Sequence, residues 1–141
     1  MLKITRMSDY AVVVLVELMQ ADSFVSVSNL AQHTRLTEPT TSKVLKALVQ
    51  AGIVISTRGT NGGYSLAATP QDISIEQIIK AIDGPIAITD CANGNEPDCI
   101  LSDACSIRGR WDGVNTAIRE VLSDVTLADM ATNHSSLKRV G

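Results

Sequence analysis

The sequence predicts a mainly α-helical protein carrying one small β-hairpin, on three observations. Apolar residues recur at helical spacing behind good capping residues through the first 51 positions and again from position 74. Two short β-forming runs, Ile53-Val54-Ile55-Ser56-Thr57-Arg58 and Tyr64-Ser65-Leu66-Ala67, flank the turn chemistry of Gly59-Thr60-Asn61-Gly62-Gly63. After the last cysteine, an apolar stripe runs on at 3–4 spacing for the length of one long helix.

The limits set by composition fit this class. A chain of 141 residues makes one domain, or one small domain with an appendage, and an apolar fraction of 45% can supply its core. The apolar run from Ala11 to Val16 is too short to span a membrane and has no small-residue cleavage site, so a cytoplasmic protein is expected. The net charge of −3 is unevenly spread. Residues 1–70 hold six basic and four acidic groups, and residues 71–141 hold six basic and eleven acidic ones. That asymmetry directs the search for a polyanion site to the first half.

Taken in order, Ser8 is placed to cap a first helix over about 9–20, apolar nearly all round as a buried helix is. Ala21-Asp22-Ser23 breaks it, and Ser28 caps a short second helix from Asn29 to Thr34 with Leu30 and Ala31 inward. Arg35-Leu36-Thr37 is a tight connection. Thr37 caps a third helix from Glu38 to Ala51, in which Pro39 is tolerated because first-turn N–H groups have no intrahelical partner. Gly52 ends it in the left-handed position. Val44, Leu45, Leu48 and Val49 form its inward stripe, leaving Thr40, Thr41, Ser42, Lys43 and Lys46 on a face of hydroxyls and lysines. Helix, tight turn and a polar, basic second helix make a helix-turn-helix, whose second helix enters the major groove of DNA. The hairpin that follows is then a wing, with Arg58 at its tip able to reach phosphates or a narrow minor groove.

Beyond the wing, Ser74-x-x-Gln77 is a capping box opening a fourth helix that buries Ile75, Ile78, Ile79 and Ile82. Gly84-Pro85 stops it. Cys91, Cys99 and Cys105 follow in a C-x7-C-x5-C loop that can bring three thiolates round one point. Soft thiolates suit an iron–sulfur cluster or zinc; one disulfide with a spare thiol, or three inert cysteines, are the other readings. A long helix over about 106–123 then presents Ile107, Trp111, Val114, Ile118, Val121 and Leu122, more apolar surface than one small winged domain needs. It is expected to pair with a second copy, as a reader of palindromic DNA requires, with packing inside one chain as the alternative. Thr126-x-x-Asp129 opens a last short helix.

With these stretches in hand, the chain resembles the IscR/NsrR family of iron–sulfur winged-helix transcription regulators from Met1 to about Ala131. The resemblance is carried by the opening Met1-Leu2-Lys3-Ile4-Thr5-Arg6-Met7-Ser8-Asp9-Tyr10-Ala11, by Lys43-Val44-Leu45-Lys46-Ala47-Leu48, by Gly52-Ile53-Val54, by Arg58-Gly59 through Gly62-Gly63-Tyr64-Ser65-Leu66, and by the three cysteines. Pro39 through Lys46, Gly84-Pro85-Ile86-Ala87 and Val125 through Met130 look like the branch that regulates the SUF iron–sulfur assembly operon.

The resemblance implies a homodimer on double-stranded, palindromic operator DNA, with a winged helix-turn-helix domain over 1–84 and a cluster-binding loop over 85–105. A dimerisation helix with a terminal short helix would occupy 106–132, and a flexible tail 133–141. The DNA-contacting set is then Pro39, Thr40, Thr41, Ser42, Lys43 and Lys46 on the third helix, with Arg58, Gly59 and Asn61 on the wing. Cys91, Cys99 and Cys105 would hold a 2Fe–2S or 4Fe–4S cluster. IscR places a histidine ligand three residues after its third cysteine, where this chain has Arg108, and its first two cysteines are closer together. Asp9 stands where NsrR-type members offer an aspartate from the partner's first helix, which makes it the candidate fourth ligand; equally, it is an acid favoured at a helix start.

The implied function is an iron–sulfur-sensing transcription regulator, a repressor of SUF genes. The rival within the class is a nitric oxide-sensing repressor of the NsrR type, and outside it a zinc-stabilised protein-interaction module. A thiol enzyme would need a base beside a cysteine, and the two histidines, His33 and His134, are far from the loop in sequence. No enzyme is expected.

Overall fold

The computed structural model describes residues 2–92, 99–101 and 103–132. The expected 133–141 tail and residues 93–98 of the cysteine loop lie outside the described residues. The elements in chain order are α1 (Arg6–Met19), α2 (Val27–Thr34), α3 (Glu38–Gln50), β1 (Val54–Thr57), β2 (Gly63–Leu66), α4 (Ile75–Asp83), α5 (Arg110–Asp124) and α6 (Leu127–Ala131), with one 3-10 turn at Pro70–Asp72. The fold is mainly helical with a two-stranded antiparallel hairpin, as expected. Among the described residues, no helix is long and apolar enough to cross a membrane.

One core joins the first four helices, β1 and α6. Val14 and Leu15 of α1, Leu30 of α2, Val44, Leu45 and Leu48 of α3, Ile78 of α4 and Leu127 of α6 are all fully buried. Burying each such side chain contributes about 1.5–3 kcal/mol, which is what holds α2 and α3 at a fixed angle for a partner. The stripe expected on α3 is in place: Val44, Leu45 and Leu48 are buried, and Val49 packs against the same core. The terminal helix α6 belongs to this core, because Leu127 N–H donates to the Ile73 carbonyl (2.8 Å) and Ile75 N–H to that of Val125 (2.9 Å).

Capping decides several boundaries, and two of the sequence expectations are corrected. Helix α1 begins at Arg6, capped by Thr5, whose Oγ1 accepts from the Ser8 N–H (3.1 Å). Ser8 is therefore not the cap but a fully buried residue one turn inside. Its hydroxyl and that of Thr5 both donate to the Asp83 carboxylate, at 2.6 and 2.7 Å, tying the start of α1 to the end of α4. Helix α2 is capped by Ser26 rather than Ser28, and so starts at Val27. The other caps stand as expected: Thr37 on α3, a full capping box of Ser74 and Gln77 on α4, and one of Thr126 and Asp129 on α6.

The long helix also starts later than the apolar spacing predicts. Residues 106–109 form turns, Gly109 adopts φ 76°, and α5 runs only from Arg110. Left-handed Gly109 interrupts the path from Ile107 to Trp111, so the period continues in sequence where the helix does not. On α5 itself Trp111, Val114 and Val121 are 40–45% exposed, while Ile118 and Leu122 are half-buried. The packing of this stripe within one chain is thus partial.

Candidate nucleic-acid interface and cysteine loop

The helix-turn-helix is built from α2, a tight turn and α3. Arg35 ends α2 at φ 59°, the one left-handed non-glycine among the described residues, and this sharp reversal lets α3 start three residues later. Holding a residue with a Cβ there costs roughly 1–2 kcal/mol, which the packed helices on either side supply. The N-terminal two-thirds of α3 then presents Pro39, Ser42, Lys43 and Lys46 to solvent. Thr40 is half-buried; its Oγ1 accepts from the Thr37 hydroxyl (2.9 Å), so its own hydroxyl hydrogen remains free to donate outward.

Thr41 is the exception among the expected contacts. It is fully buried, and its hydroxyl donates to the Thr37 carbonyl at 3.0 Å. The stripe count put it on the polar face because threonine is polar, but at its place in the helical turn it falls with Val44, Leu45 and Leu48. Its role is to close the first turn of α3, not to face a groove.

The wing pairs Val54 with Leu66 through Thr57 with Gly63, leaving Arg58, Gly59, Thr60 and Asn61 exposed at its tip. A feature with no sequence signal fixes it to the helix-turn-helix. Val25, just before α2, forms a one-residue third strand on β2, exchanging N–H donors with Tyr64 at 2.9 and 2.8 Å. Gly63 permits the approach, since a Cβ there would lie 2.4 Å from the Val25 carbonyl oxygen. The wing therefore cannot move independently of the start of α2. Three lysines or arginines (Lys43, Lys46 and Arg58) thus stand exposed on two elements locked in one geometry, as a phosphate- and groove-reading surface requires.

The cysteine loop joins α4 to α5. Its three thiols are free; Cys91 and Cys105 are half-buried and Cys99 is exposed. Cys91 Sγ lies 3.3 Å from the Thr89 hydroxyl. Among the described residues no three His, Cys, Asp or Glu side chains are gathered in the manner of a metal site, so the described geometry does not itself converge the thiols. The donor set nonetheless fits a thiolate-bound metal: all three sulfurs are soft, reduced and outside helix or strand, where the backbone can adjust to a shared centre. Asp9 is exposed in the first turn of α1, open to a second subunit. Arg108, at the position of the IscR histidine, offers no ligand atom at physiological pH.

Sequence reasoning missed what attaches α5 to the rest. The Glu76 carboxylate of α4 accepts from Arg119 Nε (2.9 Å) and from the Ser123 hydroxyl, and the serine bond followed by the arginine bond holds its pKa below the ordinary value. Asn115, 4% exposed, bonds three backbone groups of the segment leading into Cys91 and just past it. Neither shows a local sequence signature, because each pairs residues more than twenty positions apart.

Comparison with known proteins gives a consistent result. The Rrf2 family model, described as an iron-dependent transcriptional regulator, matches residues 4–133. The HTH-type transcriptional regulator NsrR of Bacillus licheniformis is 28% identical over 141 residues, covering 99% of both chains. Among solved structures, CymR, the global cysteine regulator of B. subtilis, superposes with a TM-score of 0.69 at 29% identity over 93% of this chain and 97% of that one. IscR of T. potens superposes with a TM-score of 0.68 at 31% identity, over 92% and 85% respectively.

Proposed function

The chain belongs to the Rrf2 family of DNA-binding transcription regulators, which are not enzymes, and from that premise we propose that it is an iron–sulfur-sensing repressor of SUF-type iron–sulfur assembly genes. One observation carries the reading: three free thiols lie on the segment between the DNA-reading unit and the helix that leaves an apolar stripe exposed. The family description and the likeness to T. potens IscR support it, as does the resemblance of α3 to the SUF branch.

The active form is a cytoplasmic homodimer in which Trp111, Val114 and Val121 meet their counterparts on the partner's α5. A monomer rarely leaves such a row uncovered. Two copies place two α3 helices on half-sites about 34–36 Å apart, or a multiple of that. Thr40, Ser42, Lys43 and Lys46 then meet base edges and phosphates in the major groove, and Arg58, Gly59 and Asn61 follow the backbone beside it. Pro39 holds the first turn of α3 against the DNA. Thr41 takes no part, being buried.

Cys91, Cys99 and Cys105 of each subunit hold the cluster, with Asp9 of the other subunit as fourth ligand. When bound, the cluster supplies redox chemistry sensitive to iron supply, oxidants and nitric oxide. By holding it, the three cysteines would tie the segment after α4 to the segment before α5, so that its presence or loss would bias the dimer helices and, through them, the spacing of the two α3 helices. A difference in operator affinity of about fivefold or more between the two states is within ordinary coupling energies.

The test is an anaerobic purification with iron and sulfide analysis and a visible spectrum. The same sample is then titrated onto a suf promoter fragment with and without chelator. Thiolate-to-iron absorption, iron and sulfide in comparable amounts, its loss in Cys99→Ala, and chelator-dependent affinity are expected. A colourless sample whose DNA binding ignores chelator would leave a winged-helix regulator with a structural cysteine loop. The second reading, a nitric oxide-sensing repressor, is favoured by exposed Asp9 and the likeness to the B. licheniformis NsrR. It predicts that nitric oxide at stoichiometric amounts releases the DNA while iron limitation does not.

A further inference from the structure

Helix α5 has a single buried residue in this chain, and it is polar: Asn115, 4% exposed between Val114 and Thr116. A buried amide with no partner would cost several kcal/mol, so where its bonds go decides why it is there. All three go to backbone groups around Cys91. Asn115 Oδ1 accepts from the Ile88 N–H at 3.1 Å, and Nδ2 donates to the carbonyls of Ile86 (3.1 Å) and Ala92 (3.3 Å). Ala92, itself buried, directly follows Cys91. The amide therefore spans the segment from the end of α4 to the far side of the first thiol and fastens it to one point on α5. The Glu76–Arg119–Ser123 group makes a second polar attachment of α5, but to α4, away from the cysteines.

We propose that Asn115 is the positioning residue through which displacement at Cys91 is passed to α5. This rests on the sensor reading above but concerns a connection that exists whether or not a cluster is bound. Because three bonds grip both sides of Cys91's neighbourhood, a shift of the Cys91–Ala92 backbone moves Asn115 with it, and α5 moves as a rigid helix. Remove the amide, and the loop can rearrange without moving the helix.

Two variants separate coupling from folding. Asn115→Leu keeps size and helix propensity but removes all three bonds. Asn115→Asp keeps the acceptor for the Ile88 N–H and loses both donors, and should neither variant fold, the response of α5 with Asn115 present still judges the proposal. The first arm uses the full chain with Cys99 and Cys105 changed to serine, metal-free, and N-ethylmaleimide on Cys91. Hydrogen–deuterium exchange is read over residues 86–92 and 110–124. With Asn115 present, the adduct should change exchange in both segments, by about fivefold in α5; with Leu or Asp it should change exchange over 86–92 only. An equal α5 response in the variants, or none when Asn115 is present, overturns the proposal. The second arm loads the three-cysteine protein with iron and sulfide and measures the chelator-induced ratio of suf-fragment affinities. The ratio should fall toward one in the variants while iron and sulfide content is retained, and an unchanged ratio counts against Asn115. If the unsubstituted protein takes up no cluster, the sensor reading fails, and the maleimide arm still judges Asn115 by itself.

Discussion

Gly63→Ala is the substitution that most directly probes how the wing is held. An alanine Cβ would sit 2.4 Å from the Val25 carbonyl oxygen and 2.6 Å from its carbon, both backbone atoms that no side-chain rotation can move aside. The strands must part there, breaking the two Val25–Tyr64 hydrogen bonds at 2.9 and 2.8 Å. At about 0.5–1.5 kcal/mol each, their loss costs about 1–3 kcal/mol. Residue 63 also holds φ 148°, a region that side chains rarely adopt, which adds about 1–2 kcal/mol. The total is about 2–5 kcal/mol. For a chain of this size each kcal/mol moves Tm by roughly 4 °C, so thermal unfolding followed by circular dichroism should fall by roughly 8–20 °C. The same variant frees the wing from α2, so operator affinity measured well below its Tm should drop to about that of Arg58→Ala. A melting temperature within about 2 °C of the unsubstituted protein, with operator affinity intact, would refute the anchoring argument.

Three further outcomes test the interface and the attachment of α5. Arg58→Ala should weaken operator binding by about 1–3 kcal/mol in a fluorescence-anisotropy titration, and unaltered affinity would remove the wing tip from the DNA. Thr41→Val should leave operator affinity unchanged yet lower stability by about 1 kcal/mol in urea unfolding, since it loses only the bond to the Thr37 carbonyl; a loss of affinity without loss of stability would return Thr41 to the interface. Glu76 has its pKa lowered in the fold, so its contribution to stability is fully present above the ordinary carboxylate range and is lost as pH falls through the depressed value. Glu76→Gln should therefore melt lower than the unsubstituted protein at pH 7, and the gap should narrow as the pH is taken down through and below the ordinary carboxylate range; a gap that does not narrow on acidification would show that the Ser123 and Arg119 bonds do not stabilise the ion.

The order of elements was legible in the residues because the signals that set it are local. Thr37, Ser74 and Thr126 cap the helices they were expected to cap, and Gly52 takes its left-handed place, because a cap needs only a side chain and an N–H three positions on. The stripe of Val44, Leu45 and Leu48 follows from helical period alone, and with it the exposed lysines opposite. Where two local signals competed, the sequence could not choose. Ser26 and Ser28 are equally good caps, as are Thr5 and Ser8, and the choice became visible only in the fold: Thr5 and Ser26 take the extended backbone of a cap, while Ser8 is buried one turn on, where its hydroxyl and that of Thr5 both reach Asp83 at the end of α4.

The cysteine spacing and the helix-turn-helix with its wing pointed to the regulator family from the chain alone, since order and spacing survive without knowledge of what touches what. What the tertiary structure decided are the joints. Val25 locks the wing to α2, Thr41 turns inward, and Asn115 fastens the backbone beside Cys91 to α5. Each is a contact between groups far apart in sequence or a choice of face within a single turn. Its free energy comes from desolvated backbone groups finding partners only once the core has brought them together, and no period or cap in the chain encodes that meeting.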